Sequence, residues 1–283
     1  MKILLTGSSG YISGFIIDRF KDRFEIIKAD MNDSADVYLN LEETDKFDFE
    51  ILNDVEYVIF PAAISSPDLC QNDFDCCWRI NVIGTETFIS EALYRGCKVL
   101  FFSSDAVFGD YPEEEFDENS NTEASTAYGK MKKAIEDRFK DQNSFKAIRL
   151  SYVVSPKDKF TKYALDCMKS GETCEVYDPF YRNCITINDV LDSIDYLLSN
   201  WNDYKPVFLN IAGKDLIGRE DIVKELNRIY SNKIKYKVVY PGDEFYKSRP
   251  KKTQMKSLYL SKYNILPEES FSQKMDCEFK NIL

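Results

Sequence analysis

Over roughly its first half the chain alternates short apolar runs with longer amphipathic segments. Lys2–Leu5 predicts a buried strand and Tyr11–Phe24 a helix, followed by strands over Glu25–Ala29 and Val55–Phe60. A long helix is expected over Asp75–Tyr94, then a strand over Lys98–Ser103, a helix over Ala127–Lys140 and a strand over Lys146–Tyr152. Strands separated by helices in this way need crossover connections, which give a parallel sheet covered on both faces. The predicted fold class is α/β, a Rossmann doubly wound sheet. Beyond Pro156 the pattern loosens: helices over Phe160–Lys169, Ile187–Asn200 and Arg219–Tyr230, a strand over Pro206–Ile211, and a tail from Lys233 rich in Tyr, Lys and Pro. The expected division is a dinucleotide-binding domain over residues 1–155, to which 186–230 partly return. A smaller, interleaved substrate-binding part would comprise 156–185 and 231–283.

Composition removes several chemistries. The 283 residues, 44% hydrophobic, suffice for a full core. No apolar stretch approaches the roughly 18 residues of a membrane span, and no leader precedes the first strand, so a soluble, unexported, cytoplasmic protein is expected. The eight cysteines form no Cys-x-x-Cys pair, which points to reduced, mostly buried thiols and no metal site. A net charge of −11 argues against a nucleic-acid partner. The chain contains no histidine. Ser-His-Asp and Cys-His nucleophiles and imidazole bases are thereby excluded, leaving Tyr, Lys, carboxylates, thiols, hydroxyls or a cofactor.

Two local patterns carry chemistry. Gly7-Ser8-Ser9-Gly10-Tyr11-Ile12 lies between the first strand and first helix, where glycines permit a tight turn and the helix N-terminus favours a pyrophosphate. Asp30, at the end of the next strand, stands where a carboxylate accepts from the adenosine ribose and repels a 2′-phosphate, favouring NAD(H) over NADP(H). The third glycine of the ideal pattern is replaced by Ser13, with Gly14 one step late. The alternative is an ordinary strand–glycine turn with a solvated aspartate. Farther on, Tyr128 and Lys132 share a helix face, so the ammonium favours the phenolate of a potential acid/base. Ser103 and Ser104 end the fourth strand, at the edge where such sheets bind ligands. The bland reading is a surface Tyr–Lys pair and a turn serine.

These motifs together resemble the extended short-chain dehydrogenases/reductases, within the NAD-dependent epimerase/dehydratase family. So do Phe60-Pro61-Ala62-Ala63, Asn81-Val82-Ile83-Gly84-Thr85 and Ser103-Ser104-Asp105-Ala106-Val107-Phe108-Gly109, and the likeness runs through essentially the whole chain. The resemblance implies Ser104 as hydroxyl partner, Tyr128 as acid/base and Lys132 on the nicotinamide ribose. It places Asn40 and Leu41 near the adenine, with Pro61, Ala62, Ala63, Asn81 and Ser103 beside the cofactor. It also implies a nucleotide-sugar substrate held by Ser65, Ser104, Asp105, Tyr152, Arg182 and Arg249, with the two arginines on its diphosphate.

The short connection from Asp30 to Asn40, the Arg149–Val153 segment and Arg249-Pro250 shortly before Ser257-Leu258 resemble dTDP-4-dehydrorhamnose reductases. Related 4,6-dehydratases follow the active hydroxyl with Asp-Glu, whereas Asp105-Ala106 stand here; GDP-fucose synthases use a Cys and a His that this chain lacks. The expected activity is reduction of an NDP-4-keto-6-deoxyhexose by NADH, in polysaccharide biosynthesis. The alternatives are a 4-epimerase with tightly held NAD and a non-catalytic, dinucleotide-binding regulatory subunit. A homodimer is expected through residues 75–94 and 127–140, because Trp78, Ile80, Val82, Phe88 and Ile89 offer more apolar surface than one sheet face covers.

Overall fold

The computed structural model describes residues 1–279. Its main sheet has seven strands: β1 (Lys2–Thr6), β2 (Glu25–Asp30), β3 (Val37–Tyr38), β4 (Tyr57–Phe60), β5 (Lys98–Ser104), β6 (Phe145–Leu150) and β7 (Phe208–Ile211). Their order is β7-β6-β5-β4-β1-β2-β3, and every pairing is parallel. The order reverses beside β1, and a ligand crevice opens there, outside the carboxyl ends of the strands.

Successive side chains of a strand point to opposite faces, and both faces are buried, which explains the unbroken apolar runs. Leu4, Val58, Phe60, Val99 and Phe101 pack on one face against α4 (Thr85–Tyr94) and α5 (Ala127–Phe139). Ile3, Leu5, Ile59, Leu100 and Phe102 pack on the other against α1 (Tyr11–Phe20) and α7 (Ile187–Ser199). Arg19–Asp192 (2.6 Å) and Arg23–Asp195 (2.7 Å) join those last two helices at the surface.

The long helix expected over Asp75–Tyr94 is broken in register. Helix α3 (Phe74–Trp78) runs into a π-helical turn (Arg79–Gly84) before α4 resumes. Gly84 is required in that turn, because a Cβ there would lie 1.8 Å from the Leu41 carbonyl oxygen. Part of the apolar surplus assigned to a dimer face is taken up by the chain's own core, while Ile83 and Tyr94 stay exposed on the same stretch. Val82, Phe88 and Ile89 are buried in the chain's own core, Trp78 and Ile80 pack against it, and an Arg138–Glu86 salt bridge (2.7 Å) bridges α5 and α4.

The later part of the chain builds a third cluster around Val154, Leu165, Val176, Val223 and Met275. It is framed by α6 (Lys159–Ser170), α8 (Arg219–Ile229) and α10 (Phe271–Phe279), and the short α9 (Asp243–Tyr246) lies outside it. Strands Thr173–Tyr177 and Lys235–Val239 pair in parallel, and Tyr181–Arg182, Ile217–Gly218 and Lys252–Met255 join Glu115–Phe116 in a four-stranded sheet. Among the described residues no helix is long and apolar enough to cross a membrane, and no cluster of His, Cys, Asp or Glu could hold a metal ion.

Candidate active site

The crevice begins at the turn after β1. Gly7 has φ +58°, and a Cβ there would sit 2.9 Å from Ala62 Cα, so the turn and the loop after β4 touch backbone to backbone. Gly10 donates to the Gly7 carbonyl (2.9 Å) and precedes Tyr11 and Ile12 at the start of α1. Ser13, 1% exposed, occupies the packing position of the missing third glycine, whereas a Cβ on Gly14 would meet nothing. Asp30 reaches this turn from β2: one carboxylate oxygen accepts from Ser9 N and Ser9 Oγ, both at 2.9 Å. Those hydrogen bonds hold its carboxyl below the usual range, although burial opposes them.

The far side is set by the π turn. Asn81 pairs with the backbone of Ile64, accepting from its N–H (2.8 Å) and donating to its carbonyl (2.9 Å), which fixes the segment after Pro61-Ala62-Ala63. Such turns are frequent at functional sites. Asn40 caps the turn at Leu41 by accepting from Glu42 N (3.0 Å). Ser65 lies exposed on the same loop.

Ser104 closes β5 and caps the next turn, its Oγ accepting from Ala106 N at 3.2 Å and donating to Asp105 at 3.1 Å. Gly129 brings α5 against this turn, since a Cβ there would lie 2.3 Å from the Ala106 carbonyl oxygen. Tyr128 and Lys132 are thus carried to the Ser104 edge. Lys132 is 3% exposed, its Nζ 4.5 Å from the Phe101 ring centroid and 5.6 Å from that of Tyr128. Burial pulls its pKa down to about 7, against the pull of the Cys70 thiol and Glu136. Burial, then Cys70 and Asp105, push the Tyr128 phenol above its usual pKa. The sequence reading expected the ammonium to favour a phenolate. Desolvation sets the direction for Tyr128, opposite to the pull expected from the ammonium.

Four other expected site residues are engaged by protein partners. Ser103 does not face the crevice: its hydroxyl donates to the buried Glu136 (2.5 Å), which accepts bidentately from Arg149 at 2.9 and 2.7 Å. Arg182 is 6% exposed, donates to the carbonyls of Tyr181 (2.7 Å) and Pro250 (2.8 Å), and lies 3.4 Å from Asp105. These partners hold it against the strand beneath the site. Arg249 donates to Asp68 at the start of α2 (Pro67–Asn72) at 2.6 Å, beside a Ser248–Asp68 bond of the same length. Tyr152 donates to Asp158 (2.5 Å) and accepts from Arg219 (2.7 Å). The sequence reading missed Glu136, Asp158 and Arg219. No local signal marks the first two, and Arg219 carries only one: a cation at the first residue of a helix, where the dipole disfavours it.

A parallel sheet with a glycine turn at its order reversal, an acid after β2 and a Tyr-x-x-x-Lys helix facing a strand-end serine is the architecture of nicotinamide-dependent oxidoreductases. The family model described as "NAD dependent epimerase/dehydratase family" matches residues 3–212, and the chain belongs to that family of nicotinamide-dependent enzymes. Solved structures with the same fold include a dTDP-4-dehydrorhamnose reductase from Yersinia enterocolitica (21% identity, 100% of this chain and 99% of that one, TM-score 0.87). Another from Bacillus anthracis, in complex with NADP, has 19% identity, the same coverage and a TM-score of 0.86. The Thermus thermophilus UDP-glucose 4-epimerase complex with NAD has 16% identity, 100% of both chains and a TM-score of 0.80. No curated protein matches the chain in sequence.

Proposed function

We propose that the protein is an NAD(H)-dependent oxidoreductase acting at C4 of a nucleotide-activated sugar, and that it reduces an NDP-4-keto-6-deoxyhexose. The carrying observation is the contact of Gly129 with Ala106, which sets the helix of Tyr128 and Lys132 against the turn that Ser104 caps. The residues fit a dinucleotide: the glycine turn admits a pyrophosphate, Asp30 awaits ribose hydroxyls, and Lys132 offers a buried amino group that makes no hydrogen bond or salt bridge among the described residues. When bound, the nicotinamide supplies the hydride.

Lys132 orients the cofactor's ribose. Ser104 donates to the sugar's C4 oxygen, and Tyr128 delivers its phenolic proton to that oxygen as the carbonyl becomes an alcohol. Asp105-Ala106 after Ser104 leave no Glu to eliminate water. Ser65, Asp105 and Tyr152 line the approach of the sugar. Denaturing the purified protein and identifying what it releases by mass spectrometry tests this reading. No dinucleotide is expected, as for a reductase with exchangeable NADH; stoichiometric NAD would overturn it in favour of the 4-epimerase.

Asp30 supports NAD over NADP, and its neighbours add to the argument. Asp33 and Asp36 follow it, and the Lys28 ammonium is already engaged by Asp36 (3.5 Å) and the Ser34 carbonyl (3.0 Å). Asp30→Ala is expected to weaken NADH binding about tenfold to a hundredfold and to narrow the gap to NADPH. Fluorescence titration of both cofactors reads this out; an unchanged affinity ratio would reduce Asp30 to a partner of Ser9.

A further inference from the structure

The chain has ten arginines. Nine of them make salt bridges among the described residues, and Arg219 alone makes none. In a protein where 48 acidic residues face 37 basic ones, a guanidinium without a carboxylate runs against the composition. Its place at the first residue of α8 adds to the cost, since the helix dipole repels a cation there.

The side chain is nevertheless held firmly. Its guanidinium carbon lies 4.1 Å from the Tyr152 ring centroid, 4.3 Å from that of Phe160 and 5.0 Å from that of Phe180. Three aromatic faces orient the planar fork and attract its charge. One hydrogen bond, from Nη1 to Tyr152 Oη (2.7 Å), fixes its rotation, and Tyr152 is itself anchored on Asp158 (2.5 Å). Asp158 also accepts from Ser155 N (2.9 Å), and the Ser155 hydroxyl accepts from Tyr11 at the head of α1. The remaining donors of Arg219 have no protein acceptor among the described residues. A narrow crevice between Arg219, Phe180 and Gly218 is also lined by Arg182. Burial, and to a lesser extent the Arg219 charge, hold the Arg182 guanidinium below its usual pKa, while Asp105 opposes them. Arg182 and Arg219 thus line one narrow crevice, where Asp105 lies 3.4 Å from Arg182 and Asp158 reaches Arg219 only through the Tyr152 hydroxyl.

We infer that Arg219 is the residue that receives the phosphoryl-bearing end of the substrate, presented on the Tyr152–Phe160–Phe180 shelf. Arg182 supports it from beneath. The inference rests on the nucleotide-sugar reading above and replaces the diphosphate role that the sequence assigned to Arg182. Arg fits this task because its fork meets phosphoryl oxygens bidentately.

The test titrates UDP and dTDP into the full-length, NADH-saturated protein by calorimetry. Wild type is expected to bind at least one of them. Arg219→Ala should weaken that binding about tenfold to a hundredfold, with NADH affinity unchanged, and Arg219→Lys should recover only part. Arg219→Met keeps an apolar stem on the rings, so its unchanged melting temperature with equally weak nucleotide binding would separate recognition from folding. Nucleotide binding to Arg219→Met and Arg219→Ala as tight as to wild type would make Arg219 a packing residue and leave the nucleotide-sugar reading standing. An equal loss of NADH affinity would move Arg219 to the cofactor and overturn the inference. If wild type binds neither UDP nor dTDP, nor GDP, ADP or CDP, the nucleotide-sugar reading itself fails and the inference with it.

Discussion

Tyr128→Phe is expected to lower kcat about a hundredfold to ten-thousandfold, the usual contribution of a positioned proton donor. The chain offers no replacement, since it has no histidine. Asp105 is buried, and its proximity to Arg182 (3.4 Å) and Ser104 (3.1 Å) gives it other work. The substitution removes one hydroxyl that makes no hydrogen bond among the described residues, so the fold and NADH affinity should change little. Steady-state rates with an NDP-4-keto sugar, beside NADH titration of both proteins, separate catalysis from binding. A Phe variant with wild-type kcat would remove Tyr128 from the chemistry.

The second large effect concerns stability. Glu136 and Arg149 are each 2% exposed, and Arg149 lies 5.1 Å from the Phe108 ring centroid and 4.1 Å from that of Phe208. Its Nη1 already lacks a partner. Glu136→Ala would leave that guanidinium buried and uncompensated, at a cost of about 3–5 kcal/mol. It also frees Ser103 next to Ser104, so activity should fall with stability. Replacing both members by Met should restore much of the loss, because an apolar pair of similar volume carries no desolvation penalty. Urea denaturation checks this through the midpoint at constant m. A loss below about 1 kcal/mol for Glu136→Ala would show that the pair is hydrated or relaxed.

What the sequence made legible is local. The β1–turn–α1 unit, Asp30 at the end of β2 and the four-residue spacing of Tyr128 and Lys132 are each written in a few consecutive residues. Boundaries fell within a few positions because each apolar run marks a strand buried on both faces. What stayed hidden is decided by distant partners. Arg182 reads as a free cation until Pro250 and Asp105 come to it, and Ser103 reads like Ser104 until the strand's alternation turns it toward Glu136. Nothing local in 75–94 tells that the core takes Val82, Phe88 and Ile89 and leaves Ile83 and Tyr94 exposed. The π turn at Asn81 carries no propensity signal, since helix-forming residues flank it on both sides. Helix α10 was obscured by polar residues such as Lys274, whose burial makes sense only with its 2.7 Å salt bridge to Asp189. Strands such as Thr173–Tyr177 and Lys235–Val239 find each other across some sixty residues of chain.

The central claim is that this site passes hydride between NADH and C4 of a nucleotide-linked sugar. Its most direct test mixes the purified protein with NADH and either an NDP-4-keto-6-deoxyhexose or the corresponding free 4-keto sugar. NADH absorbance is followed and the product sugar identified by NMR. Stoichiometric NADH oxidation with a new C4 alcohol from the nucleotide sugar, and far slower turnover of the free sugar, is the expected result. Equal rates on the free sugar, or none on any nucleotide-linked 4-keto sugar, would contradict it.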